Sequence, residues 1–187
     1  MTLKTGNMTS ARWKPSSGGL VLALLVCGML LGLGILRHRF RLGIVIGRSM
    51  LPTLAGGDLL IIDEQAYRGT RPQRGDIVVA HYVKNFVIKR IVAFGGETVE
   101  VRNGALYVNG SVLRENYSTI QGPCNIDKGR LFAGKLATLG DNRGIPACLA
   151  VYPIITQDRI LGKVIYSAHW KNPFRKANSP STTTLPR

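Results

Sequence analysis

The chain is poor in the groups that mark metal and nucleotide chemistry. It has no HExxH motif, no Walker loop and no GxGxxG fingerprint, so neither a cofactor nor a bound metal is expected. Its three cysteines, Cys27, Cys124 and Cys148, form no CxxC pair and show no zinc spacing. Acids are scarce: 10 Asp and Glu stand against 25 Lys and Arg, a formal net charge of +15. Such an excess suits nucleic acid or an anionic membrane surface. The basic residues are spread thinly, however, and not gathered into one helix or an aromatic-interleaved stripe, so nucleic-acid binding is not expected. His38, His81 and His169 fall into no Ser-His-Asp arrangement visible in the sequence. Beyond residue 36 no stretch keeps a helical period, and there is no internal repeat.

What is present begins with a hydrophobic fraction of 45%, ordinary for a folded domain and too high for a disordered one. Residues 1–17 carry Lys4, Arg12 and Lys14 and no acid, a flexible basic tail. From Gly18 to Leu36 every residue is apolar or small. At helical rise that run spans about 28 Å, close to the hydrocarbon thickness of a bilayer. It is long for the core of a cleavable signal peptide, and no A-x-A site follows it. Cys27 within it lacks the small residues a lipoprotein site wants. The run reads as a retained transmembrane helix. Lys4, Arg12 and Lys14 on one flank balance Arg37, Arg39 and Arg41 on the other, so charge asymmetry does not orient it. The collar Arg37 to Arg41 is suited to anionic headgroups.

From Leu42 the pattern changes to short strands separated by turn residues: Leu59–Asp63, Asp76–Tyr82, Phe86–Phe94, Thr98–Arg102, Ala105–Val108, Leu131–Leu139 and Ile160–Trp170. Asn103-Gly104 between two of them signals a type I′ hairpin. Residues 111–129 are less periodic and read as a surface excursion, and 171–187, rich in Pro, Ser and Thr, as a disordered tail. The expectation is a mainly β domain over 37–170 behind one membrane helix.

Three stretches carry chemistry. In Gly47-Arg48-Ser49-Met50-Leu51-Pro52-Thr53-Leu54, the proline stiffens an irregular loop that can expose the Ser49 hydroxyl and its own N–H. A serine needs a base within hydrogen-bond reach. In Phe86-Val87-Ile88-Lys89-Arg90-Ile91, alternation sets Lys89 among Val87, Ile91 and Ala93. Burial lowers an amine's pKa and makes it a base; periodicity alone leaves open that Lys89 snorkels to water instead. Leu139-Gly140-Asp141-Asn142-Arg143-Gly144 is a tight turn dense in hydrogen-bonding groups, able to hold such a pair in place.

In this order behind an N-terminal span, GRSMLPTL, the RGDIV turn, FVIKRI and LGDNR resemble the type I signal peptidases, membrane-anchored Ser/Lys endopeptidases. The resemblance runs from about Gly43 to about Tyr166. It implies a β catalytic domain outside the cytoplasmic membrane, with the N-terminal tail in the cytoplasm. Ser49 matches the nucleophile and Lys89 the general base, and the Ser49 N–H would contribute to an oxyanion hole. Gly47 stands where some members carry a neighbouring hydroxyl. Val45, Met50, Val87 and Ile88 match the lining of shallow apolar pockets, and Ile44-Val45-Ile46 could pair with an extended substrate. The implied substrates are preproteins, cut after small residues at the end of their signal peptides.

One stretch departs from the family. Where its members continue with serine and acidic residues and then Ser-Arg, this chain reads Gly144-Ile145-Pro146-Ala147-Cys148-Leu149-Ala150-Val151-Tyr152-Pro153. The hydroxyl that supports the lysine and the ionic brace are missing there; Asp141 and Arg143 remain, and a Cys124–Cys148 disulfide could stiffen the loop. The alternatives are a specialised maturation peptidase for pilin or conjugation substrates, and a non-catalytic membrane-anchored module that binds peptides. A self-cleaving repressor would need a DNA-reading helical domain where this chain has its span.

Overall fold

The first element, α1 (Ser17–Arg39), follows from an uninterrupted run of Leu, Val, Met, Ala and Gly with no β-branched cluster and no internal proline. Its large side chains are exposed on every side, and it is long and apolar enough to cross a membrane. The structure, a computed structural model, describes residues 17–145 and 154–168. Residues 1–16 of the basic tail, the segment 146–153 with Cys148, and the stretch from His169 onward lie outside the described residues. The chain divides at His38/Arg39 into the helical unit and a β unit.

The described strands of the β unit form two antiparallel sheets. The larger has the order β1 (Phe40–Ile44), β2 (Leu59–Asp63), β11 (Ile160–Ala168), β3 (Ile77–Tyr82), β4 (Asn85–Phe94), β9 (Lys135–Leu139), β10 (Ile154–Thr156). The smaller has the order β7 (Ser111–Val112), β6 (Ala105–Val108), β5 (Thr98–Arg102), β8 (Ile126–Arg130). The mainly β expectation holds. Asn103 and Gly104 both take positive φ, 48° and 82°, as the hairpin joining β5 to β6 requires.

Strands β3 and β4 are central, and Ile77–Ala80 and Lys89–Ala93 are buried at every position, so neither stretch alternates between core and solvent; β4 carries Lys89 and Arg90 inside its buried part. One apolar cluster gathers Met50, Leu54, Leu60, Ile62, Ile77, Val79 and Val164. A second places Val92, Leu139 and Leu131 against Val99, Val101 and Leu106 of the smaller sheet. Lys89 and Arg90 sit at neighbouring positions of β4, between these cores. This is the arrangement that positions the site.

Two expectations need correction. The strand expected over Leu131–Leu139 is only its second half, because Ala133-Gly134 turns the chain, with Gly134 at φ 74°. Residues 111–129 are not wholly an excursion: β7 lies in them and β8 begins in them. The β8 sequence IDKGR has a single partly buried apolar residue, Ile126, so its strand character comes from pairing with β5 and not from any period of its own. Arg39 and Arg41 of the basic collar are tied to carboxylates, Arg39 to Asp63 at 2.8 Å and Arg41 to Glu64.

Candidate active site

The loop between β1 and β2 is pinned at both ends. Its neck is closed by Val45 N–H donating to the Asp58 carbonyl and Gly57 N–H donating to the Val45 carbonyl, both at 2.9 Å. The Asp58 carboxylate accepts from Ala55 N–H at 2.8 Å. Met50 and Leu54 bury their side chains in the core on one side of Ser49. On the other side Gly47 has φ +96°, which a side chain would strain. Ser49 is thus held between fixed points.

Lys89 comes from β4, opposite Val78 of β3. Its side chain is 5% exposed, and its Nζ lies 2.7 Å from Ser49 Oγ, hydrogen-bonded to it. Burial pushes the amine down to about 8, while the Asp141 carboxylate pulls in the opposite direction. The snorkelling alternative for Lys89 is therefore wrong for this chain: the strand is covered, and its head group is turned to the serine.

The loop after β9 closes on Ser49 from a third side. Asn142 N–H donates to the Ser49 carbonyl and Asn142 Nδ2 to the Arg48 carbonyl, each at 3.0 Å. Gly140 passes so close that a Cβ there would lie 2.4 Å from the Ser49 carbonyl oxygen. No side chain fits at position 140 without moving the loop that carries Ser49.

Behind this loop runs a buried polar network. Asp141, fully buried, accepts two hydrogen bonds from Arg90, at 2.9 and 2.6 Å, and one from Thr53 Oγ1 at 2.5 Å. Arg90 also donates to the Gly75 carbonyl at 2.7 Å and stacks on Tyr117, its guanidinium carbon 3.8 Å from the ring centre. Arg143, also fully buried, donates to the Gly140 and Gly104 carbonyls at 2.7 and 2.9 Å and to Glu115 at 2.6 Å. The Tyr117 hydroxyl donates to the same Glu115 oxygen. The carboxylates that hold these two buried arginines are Asp141 and Glu115.

Ser49 and Lys89 open into a cavity of about 520 Å³, whose lining includes Val45, Gly47, Met50, Val87, Ile88 and Asn142. The Val45, Met50, Val87 and Ile88 lining, Gly47 and the dyad are brought together on it; Asp141 and Arg143 lie behind it. Cys124 is buried and disulfide-bonded, and Cys148, its expected partner, lies outside the described residues. Among the described residues no group of three or more His, Cys, Asp or Glu is placed to hold a metal ion.

The residues missed by sequence reasoning are Thr53, Arg90, Glu115, Tyr117 and the close approach at Gly140. Arg90 had a signal, a charge within an apolar run with no alternation to carry it outward. Glu115 and Tyr117 had none, since their segment has no period.

The family model described as signal peptidase, peptidase S26, matches residues 19–165. A probable signal peptidase I-1 from Synechocystis is 32% identical over 157 residues, 79% of this chain and 78% of that protein. Signal peptidase IB from Staphylococcus aureus strain COL is 30% identical over 156 residues, covering 73% and 82%. A solved signal peptidase I from Enterococcus faecalis aligns with TM-score 0.39 at 27% identity, over 51% of this chain and 97% of that one.

Proposed function

Because the chain belongs to the signal peptidase family, peptidase S26, a family of serine endopeptidases, we propose that Ser49 is its nucleophile and Lys89 its general base. The chain removes signal peptides from preproteins and carries an N-terminal apolar helix as its anchor. The observation that supports the assignment of the two residues is their contact at 2.7 Å with the amine buried.

Neutral Lys89 accepts the Ser49 proton as Oγ attacks the scissile carbonyl. The Ser49 N–H has no acceptor among the described residues and donates to the developing oxyanion, a type of contact worth about 3 kcal/mol. The C–N bond breaks, the amine of the mature protein leaves with the proton, and an ester to Ser49 remains. Lys89 then takes a proton from water, which attacks the ester and releases the signal peptide. The apolar lining by Val45, Met50, Val87 and Ile88 suits small, uncharged side chains before the cut.

The base must be neutral, so activity follows the deprotonated amine. With the amine at about 8, kcat/KM on a preprotein ending in Ala-x-Ala rises roughly tenfold from pH 7 to pH 9 and then levels. Cleavage falls after the final Ala, read by N-terminal sequencing of the product. A profile flat from pH 6 to 10 counts against Lys89 as base.

The proposed topology places the tail before α1 in the cytoplasm and the β unit outside the cytoplasmic membrane, where exported chains present their cleavage sites. Protease added to intact spheroplasts should digest the β unit, and its protection would reverse the orientation. The bonded state of Cys124 beside the free Cys27 supports pairing with Cys148, a constraint on the loop after Arg143 worth about 3 kcal/mol in the chain-entropy account. Alkylation of the unreduced, denatured protein should then label Cys27 alone.

A further inference from the structure

Arg143 and Arg90 are both large, charged and buried, and the sequence from Gly144 to Pro153 carries no acid to pair with either. Arg90 has Asp141, while the acid for Arg143 and the ring under Arg90 come from the segment between β7 and β8. Glu115, with only 10% of its side chain exposed, takes Arg143 on one oxygen and the Tyr117 hydroxyl on the same oxygen. The Tyr117 ring lies under the Arg90 guanidinium, and Arg90 holds Asp141 through two hydrogen bonds. Ile120 then ties this segment to the loop itself: its N–H donates to the Asp141 carbonyl at 3.0 Å and its carbonyl accepts from Arg143 N–H at 2.8 Å. Gly122 packs against the same loop so closely that a Cβ there would meet Gly144 Cα at 2.3 Å. The segment is a brace seated against the back of the loop whose front holds Ser49.

We propose that Glu115 and Tyr117 are positioning residues for the Ser49–Lys89 pair: Glu115 fixes the Tyr117 ring, the ring holds Arg90 on Asp141, and Asp141 sets both the loop behind Ser49 and the charge that Lys89 feels. This rests on the assignment of Ser49 and Lys89 made above. The hydroxyl of Tyr117 stays protonated, since burial and the adjacent Glu115 carboxylate both raise it, so the ring acts by its face and as a donor and never as a base. Other charged groups near Lys89 do not screen Asp141: Arg41 and Arg48 line the same cavity, but Arg41 is paired with Glu64 and Arg48 lies exposed on the nucleophile loop. The compensation of Asp141 falls to Arg90.

The consequence is a shift of defined sign. If the ring is lost, Arg90 is free to leave Asp141, the carboxylate is less compensated, and it holds the proton on Lys89 more strongly. The pH at which Lys89 becomes a base moves up. The test uses the full chain in detergent with an Ala-x-Ala preprotein, comparing wild type, Tyr117→Phe, Tyr117→Leu and Glu115→Gln over pH 6 to 10. Tyr117→Leu is expected to lower kcat by about tenfold, with KM within about twofold, and to move the acidic limb upward by about half a unit to one unit. Tyr117→Phe keeps the ring under Arg90 but loses the hydroxyl bond through which Glu115 fixes it, and Glu115→Gln weakens that same bond, so both move the limb in the same direction as Tyr117→Leu by a smaller step. Titration of the Lys89 amine by NMR reads the same shift without substrate. A shift there with no cleavage by wild type leaves the brace standing and removes the peptidase assignment. Wild-type limbs and kcat in both Tyr117→Leu and Glu115→Gln overturn the proposal. So does a Glu115→Gln protein of wild-type behaviour when Tyr117→Leu fails to fold, and so does equal damage from Tyr117→Phe and Tyr117→Leu.

Discussion

With Ser49 as the proposed nucleophile and Lys89 as its base, Ser49→Ala and Lys89→Met should each abolish cleavage, by at least about four orders of magnitude, since such a pair acts as a unit and losing either loses the step. The two variants part company in stability. Lys89 is 5% exposed and its amine is pushed down to about 8 from an ordinary value near 10.5. At pH 7 the folded protein therefore holds a charged amine where burial disfavours it, at a cost of about 3 kcal/mol. Between pH 8 and 10.5 the unfolded chain binds more protons than the folded one, so wild-type stability rises with pH across that window and is flat on either side. Methionine has similar length and no charge, so Lys89→Met should be more stable than wild type at pH 7 and lose that advantage by about pH 10.5. Ser49→Ala has no such advantage. Urea unfolding at pH 7 and at pH 10 checks this. A Lys89→Met protein less stable than wild type at pH 7 would mean that the amine carries no desolvation cost in the native state.

That catalysis and stability pull apart at Lys89 also explains why its strand was only partly legible in the sequence. The largely apolar run from Phe86 to Phe94 gives the strand, and the motif around Ser49 points to the proposed nucleophile. Alternation gives the face of Lys89 but not its environment, because the run continues apolar on both faces only when both are covered. The same pattern left snorkelling open for Lys89, and the signal it carried for Arg90, a charge inside an apolar run, names no partner for the buried guanidinium. Turn chemistry was readable where a residue type is forced, as at Asn103-Gly104. It was not readable at Ala133-Gly134, where the surrounding residues look like strand. The largest gap lay in 111–129. Glu115 and Tyr117 reach the loop through long-range contacts, to Arg143 over 28 residues and to Arg90, and no local period encodes a contact of that span. The missing brace after Arg143 was visible in the sequence as a missing partner; its replacement became visible only in three dimensions.

Asp141→Ala should be the most damaging single change outside the dyad, in both stability and rate. Its carboxylate is fully buried and is the one acid holding Arg90, itself 4% exposed. Removing it strands a buried guanidinium with, among the described residues, the Gly75 carbonyl, the Tyr117 ring and a long contact to Thr53 Oγ1, a change that costs about 3–5 kcal/mol. Against total stabilities of about 5–15 kcal/mol for single domains, this is a substantial fraction. The same substitution frees the loop whose Asn142 holds the Ser49 and Arg48 carbonyls, and a displacement of about 1 Å at a nucleophile costs about a hundredfold in rate. The pH profile supplies the sign. Asp141 holds the proton on Lys89, so the residual activity of Asp141→Ala, or of the better-folded Asp141→Asn, should show an acidic limb shifted below the wild-type position, opposite in direction to Tyr117→Leu. Replacing both partners, as Arg90→Met with Asp141→Leu, should restore part of the stability, because no charge is left without a partner, and none of the rate, because the loop is still unpinned. If Asp141→Asn kept the wild-type limb, the carboxylate would be acting on Lys89 through shape alone.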